Sequence, residues 1–347
     1  MSQTWFWNKG KDDTKGSVYK GRLNETKYTD FVRICKMAQG ELKAEVSSRL
    51  KDWFPDVVCS DGFVYAKGTM PVLLTAHLDT VHKEPVRDFY EYTDENGNDI
   101  LSSPQGIGGD DRCGVYMILR LLEETDFRPS ILFCEDEEIG GIGSNKFCVS
   151  TYINDLKGMR FLIELDRMGS SDAVYYDDDN AEFHEWIYKV TGCIENYGSF
   201  SDISHLSPAC MISSVNLSCG YYHAHTLKEE VNVNEMLGRV EAVKKLLKAS
   251  EDLEAGFEYK EKVYYNNYYG RYYDNGADYY YSPTRVAGHR NTQDKSATLF
   301  VEWWDARERT SKNNYIEGVD ENDCWVDFFF NNPNVCFNDV LDYEYTN

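Results

Sequence analysis

Apolar and polar positions along this chain follow first a helical and then a strand-like spacing. Over residues 28–53 (YTDFVRICKMAQGELKAEVSSRLKDW) apolar side chains recur at helical intervals with Glu, Lys and Arg between them. That pattern predicts one or two amphipathic helices. DGFVYAKG and MPVLLTAHLDT follow and read as a pair of strands. Val72, Leu73 and Leu74 form a short continuous apolar run, as expected of a central parallel strand buried on both faces. Residues 83–104 are polar and contain Asn-Gly, which predicts a hairpin or loop. Beyond GIGGDDRCG, the segment VYMILRLLEE predicts a helix and SILFCEDEE a buried strand ending in acids. NKFCVSTYIND predicts a helix and MRFLIELD a third buried strand. EWIYKVTG, ACMISSVNLS and the helix NEMLGRVEAVKKLLKASEDL complete the unit.

Strands that alternate with helices imply an α/β fold of three αβα layers, a mostly parallel central sheet with helices on both faces. In such sheets a ligand site lies beyond the carboxyl ends of the strands. Acids and histidines occur at those ends here. The pattern changes after about residue 255. Residues 259–281 hold ten tyrosines among Asn, Asp and Gly, a low-complexity stretch with no period. The expected organisation is therefore one domain over residues 1–255 and a Tyr-rich, acidic C-terminal extension over 256–347. The extension reads as a tail packed on the main domain or as a contact surface for a second copy or another protein.

Composition narrows the classes. The 347 residues are 42% hydrophobic and 27% charged, with a formal net charge of -23. An ordinary packed core is within reach. The negative excess suits solubility and argues against nucleic acid, which wants clustered Lys and Arg. Tyrosines can stack on bases, but without positive charge that version is weak. The N-terminal MSQTWFWNKGKDDTKG lacks the basic start and apolar run of a secretory signal. No run approaches the roughly 20 apolar residues that span a bilayer. The 10 cysteines form no C-x-x-C pair, so reduced core thiols in a cytoplasmic protein are expected.

Five strand-end motifs carry the candidate chemistry. In TAHLDT, strand alternation puts His77 and Asp79 on one face. His77 can bind a metal through one ring nitrogen while Asp79 accepts from the other and fixes the tautomer. In GIGGDDRCG, glycines before Asp110 and Asp111 let the backbone turn tightly. A carboxylate there can bridge two cations, or one of the pair can cap the following helix. In CEDEEIGGIGS, adjacent Glu137 and Glu138 point different ways. One can bind metal while the other handles protons. LIELDRMG ends a strand with Asp166, and CGYYHAHTLKEEV offers His223 and His225. Each motif also has a plain reading as a cap, an acidic loop or a surface histidine. Their joint order is the stronger signal.

That order resembles the superfamily of co-catalytic zinc exopeptidases, which includes dizinc aminopeptidases, peptidase T and related deacylases and carboxypeptidases. The matching pieces are H-x-D in TAHLDT, G-x-D-D-x-x-G in GGDDRCG, E-E-x-G-x-x-G in EEIGGIG, the Asp of ELDRMG and H-T-x-x-E in HTLKE. They span roughly residues 60–245. The resemblance implies two Zn2+ ions, with Co2+ or Mn2+ as substitutes. It assigns His77, Asp110 and Asp166 to one ion and Asp110, Glu138 and His225 to the other. Asp79 becomes the partner of His77, and Glu137 the general base. His225 is preferred over His223 because Glu229 follows it in the H-T-x-x-E pattern.

Fifty-nine positions separate Asp166 from His225. That leaves no room for the lid domain of the peptidase T and carboxypeptidase branch, so the chain is expected to be of the single-domain kind. Tyr221 or Tyr222 is a candidate replacement for a lid-borne oxyanion donor. Arg167 should face away from the site, and GSFSDISHL weakly suggests a serine-aspartate loop near it. The implied activity is hydrolysis of peptide bonds, as an aminopeptidase or other small-peptide exopeptidase. The alternatives are a deacylase of N-acyl amino acids with the same metal centre and a non-catalytic binding protein on the same scaffold.

Overall fold

The computed structural model describes short strands at Phe6–Trp7 and Tyr19–Lys20 and the continuous stretch from residue 21 to 262. The Tyr-rich segment from residue 263 onward, with the role expected of it, lies outside the described residues.

The core is an eight-stranded mixed sheet. Its strands run across the sheet as Ile194–Asn196, Asp172–Val174, Ser214–Ser218, Phe161–Arg167, Met70–His77, Pro129–Cys134, Phe63–Ala66 and Val57–Ser60. The four central strands, from Ser214–Ser218 to Pro129–Cys134, are mutually parallel. An antiparallel hairpin closes one edge. The antiparallel strand Asp172–Val174 begins the other.

The continuous apolar runs arise because both faces of these strands are covered. Val72, Leu74, Ile131, Phe133, Phe161 and Ile163 enter one core, under the helices Thr29–Cys35, Gln39–Leu50, Gly109–Glu124, Ala181–Thr191 and Val233–Ser250. Leu73, Leu132, Cys134 and Leu162 alternate into the opposite core, against the helices Ile142–Val149 and Ile203–Cys210. The expected three-layer α/β fold is thus present.

NKFCVSTYIND does not form one helix. It breaks at Ser150, which is extended and whose side chain accepts from the Tyr152 amide at 3.2 Å, and continues as the 3-10 turn Thr151–Leu156. A serine that can bond the backbone of a following turn competes with helix continuation.

Residues 83–104 contain the expected hairpin, Tyr90–Thr93 with Asp99–Ser102. Gly97 takes φ +86 at its turn. The hairpin belongs to a second, five-stranded antiparallel sheet with Tyr221–Tyr222, Glu230–Asn232 and Arg22–Leu23. The loop bearing His225 is held between the first two of these. From Asp172 to Ser218, every regular element joins the central sheet or packs on it, so no separate lid domain is inserted there.

Residues 256–262 pack on the main unit. Phe257 lies 5.1 Å from Phe183 and 5.5 Å from Trp186 between ring centroids. Its amide donates to the Arg160 carbonyl and its carbonyl accepts from Ser213. Among the described residues no helix is long and apolar enough to cross a membrane, and none of the cysteines forms a disulfide.

Candidate metal centre

The carboxyl ends of the parallel strands converge where alternation and strand length dictate. His77 is the last residue of Met70–His77 and pairs across the sheet with Cys134, the last residue of its neighbour. The acidic loop 135–138 therefore starts beside it. Asp166 stands near the end of the next parallel strand. The glycine loop carrying Asp110 folds over these ends because residues there come unusually close. A Cβ on Gly109 would lie 2.7 Å from the Tyr221 side chain.

His77 is fully buried. Its Nδ1 lies 3.1 Å from Asp79 Oδ1. Its Nε2 faces Asp110 Oδ1 at 3.0 Å and Asp166 Oδ1 at 3.4 Å. The other oxygen of Asp110 lies 3.2 Å from His225 Nε2, and Glu138 Oε2 lies 3.1 Å from the same nitrogen. Six side chains from five chain segments thus form two adjoining clusters that share Asp110. Asp79 also ties the acidic loop in place, accepting from the amides of Glu137 and Glu138 at 3.0 Å each.

Asp111 and Asp110 are both buried, and the peptide bond between them is cis. Asp111 can join a three-residue grouping with His77 and Asp166. Its oxygens, however, accept from the His77 amide at 3.1 Å and the Gly114 amide at 2.8 Å. Asp111 therefore anchors backbone, while Asp110 turns to the histidines. His223 points elsewhere, with Nε2 3.9 Å from Glu230. Arg167 turns away to Asp172 at 3.3 Å.

Neither tyrosine offers a free oxyanion donor. The Tyr221 hydroxyl donates to the Asp166 carbonyl at 2.6 Å, and that of Tyr222 is bonded to Glu235. The suggested replacement for a lid-borne oxyanion donor is therefore set aside.

The electrostatics describe a site that calls for positive charge. Burial works to raise Asp110, but hydrogen bonds from His225 and His77 outweigh it and hold its carboxyl low. Burial and the neighbouring Asp110 charge raise Asp166 to about 7. Hydrogen bonds to Asp110 and Glu138 raise His225 to about 11. Burial disfavours a charged His77, yet its bonds to Asp110, Asp166 and Asp79 push it well above its ordinary value. Burial, helped by the Asp166, Asp202 and Glu138 charges and opposed by His77, raises Glu137 to about 9.

The donors suit a hard to borderline divalent cation, being imidazole nitrogens and carboxylate oxygens of the kind zinc takes. His77, Asp110 and Glu138 offer ligand atoms within 4.8 Å of one another. Glu138 Oε1 is buried without a hydrogen-bond partner, as a ligand oxygen would be. The residues present therefore fit the ions.

Several contributors were missed or only hinted at in sequence. The Ser201 hydroxyl donates to Asp166 Oδ2 at 2.9 Å, from the serine-aspartate loop that GSFSDISHL suggested. Asn216 accepts from the Asp166 amide at 3.0 Å and donates to its Oδ2 at 3.3 Å. Glu164 accepts from the amides of Asp202 and Ile203, both at 3.2 Å, and so caps the helix that begins at Ile203.

Residues 64–196 match Peptidase family M28. The matched stretch contains His77, Asp79, Asp110, Glu137, Glu138 and Asp166, and His225 lies beyond it. The fold is similar to that of the aminopeptidase PepT from Bacillus cereus, at 13% identity and TM-score 0.51 over 65% of this chain and 98% of that one. A tripeptidase from Staphylococcus aureus aligns at 14% identity and TM-score 0.49, over 65% of this chain and 98% of its own. A TET aminopeptidase from a marine sediment thaumarchaeote aligns at 13% and 0.48, over 64% and 97%. No curated protein matches the sequence. Over the matched stretch the chain is similar to peptidases of family M28, its fold is similar to that of the PepT aminopeptidase, and a metal-dependent peptidase is the activity these similarities support.

Proposed function

We propose that the protein is a dizinc aminopeptidase that removes the first residue of short peptides, with Glu137 as general base. The observation that carries this reading is the geometry of Asp110, with Oδ1 3.0 Å from His77 Nε2 and Oδ2 3.2 Å from His225 Nε2. One carboxylate that turns an oxygen to each of two histidines is what a bridging ligand requires. His77, Asp110 and Asp166 would hold one ion, and Asp110, Glu138 and His225 the other. Cobalt or manganese can serve in the same nitrogen and oxygen site.

Bound there, the ions would supply Lewis-acid polarisation of the scissile carbonyl and acidify a water towards neutral pH. The protein's own groups do the rest. Asp79 keeps the proton on His77 Nδ1, which leaves Nε2 as the donor atom. Glu137 takes a proton from the attacking water as its oxygen adds to the carbonyl carbon. It then delivers that proton to the amine nitrogen as the C–N bond breaks. Its environment favours the protonated form, and nearby cations would lower its affinity towards the working range.

The preference for a free amino terminus follows from charge. Among the described residues, no Lys or Arg forms an ion pair with Asp79, Asp110, Glu137, Glu138 or Asp166. An N-acyl amino acid presents a carboxylate that needs such a partner. A free amine suits an acid-rich site.

The test compares aminoacyl-arylamides and dipeptides with their N-acyl counterparts, on the wild type and on Glu137→Gln. Expected are cleavage of the free-amine substrates and, in Glu137→Gln, retained metal with turnover lower by about 100-fold or more. Turnover that survives in Glu137→Gln, or a preference for N-acyl substrates, would count against the reading.

A further inference from the structure

The carboxylate of Glu229 is fully buried, yet it faces no lysine or arginine among the described residues. A buried charge is costly unless every oxygen is well bonded. Here three donors meet it. Oε1 accepts from the Asp110 amide at 3.1 Å. Oε2 accepts from the Gly108 amide at 2.8 Å and from His82 Nε2 at 2.7 Å.

Three chain segments therefore meet on one side chain. His82 belongs to the loop that follows the His77 strand. Gly108 and Asp110 belong to the glycine loop. Glu229 closes the turn that carries His225, where the Glu229 amide donates to the Thr226 carbonyl at 3.1 Å. His82 is nearly buried, at 9% side-chain exposure. Its ring occupies space that only a glycine leaves free, since a Cβ on Gly106 would lie 2.1 Å from His82 Cε1.

The Asp110 side chain must present one oxygen to each of two clusters, and its direction is set by its backbone. Glu229 grips that backbone at the amide. We propose that Glu229, supported by His82, is a positioning residue that fixes Asp110 between the two histidines and couples it to the His225 turn. The inference rests on the dizinc reading. Neither Glu229 nor His82 would touch an ion; both act through Asp110. Partners of this kind, one bond removed from the ligands, change metal affinity by about 10- to 100-fold when lost.

The experiment titrates zinc into chelator-stripped wild type, Glu229→Gln, His82→Ala and His82→Gln. Cobalt spectra, the melting temperature of the stripped proteins, kcat and KM are measured alongside. Glu229→Gln and His82→Ala should bind zinc about 10- to 100-fold more weakly, shift the cobalt spectrum and lower kcat more than they change KM. His82→Gln should recover most of the affinity, because its amide nitrogen can donate to Glu229 from near the Nε2 position. If His82→Ala fails to fold, His82→Asn, too short to reach Glu229, takes its place against His82→Gln. Wild-type affinity and spectra in both Glu229→Gln and the short His82 variant, with only the melting temperature changed, would overturn the proposal and leave the dizinc reading standing. A wild type that binds no zinc would overturn both.

Discussion

The Glu137 amide lies 3.0 Å from Asp79 Oδ1, the same oxygen that faces the His77 ring at 3.1 Å. Asp79 therefore joins the histidine strand to the loop that carries both glutamates. Replacing it with Asn puts an amide nitrogen against donors that need an acceptor. Asp79→Asn should lower metal affinity or activity by about 10- to 100-fold. Zinc titration and steady-state rates on the purified variant check this, and near wild-type values would show that Asp79 is incidental.

Metal uptake should release protons. In the absence of metal, hydrogen bonds to Asp110 and Glu138 raise His225 to about 11, so this ring carries a proton at neutral pH. A cation must displace that proton. Apparent zinc affinity should rise with pH through the neutral range, by roughly tenfold per unit for each proton displaced. Calorimetry in buffers of different ionisation heat counts the protons; a pH-independent affinity would refute the arrangement.

The two clusters differ in enclosure. His77 is fully buried and Asp166 has Ser201 and Asn216 on its second oxygen. His225 is 54% exposed on its side chain. Stepwise chelation should remove the ion beside His225 first and leave one ion per chain at intermediate chelator. Metal analysis of the dialysed protein reads the stoichiometry, and strictly simultaneous loss would contradict the difference.

Phe257 tests how far the folded unit extends. Its ring fills a cluster with Phe183 and Trp186. Phe257→Ala should cost about 3 kcal/mol of unfolding free energy, the lower end for a buried phenylalanine because the site lies near the surface. Denaturant melts measure it, and a change under about 0.5 kcal/mol, typical of surface positions, would show that the segment adds little.

The sequence was most readable where one strand decides the outcome. Val72–Leu74, the run ILFC and the run FLI announced strands buried on both faces, and alternation with helices announced the three layers. That acids and histidines would gather beyond the strand ends was legible because those ends share one edge of a parallel sheet, whereas the choice of His77, Asp110, Glu138, Asp166 and His225 among them came from the resemblance to the zinc exopeptidases. What escaped notice depends on separate loops meeting. The contacts of Ser201 and Asn216 with Asp166 join segments 35 and 50 positions apart. Those of Glu229 with Asp110 and His82 span 119 and 147. No local period encodes them. The two tyrosines illustrate the converse, since proximity in sequence to His225 did not free their hydroxyls.

The most direct measurement is anomalous diffraction at the zinc edge from crystals of the protein grown with zinc. The account predicts two peaks about 3.5–4 Å apart, one on each side of the Asp110 carboxylate, the first against His77 and Asp166 and the second against Glu138 and His225. Peaks elsewhere, or a pair that leaves Asp110 uncoordinated, would contradict it.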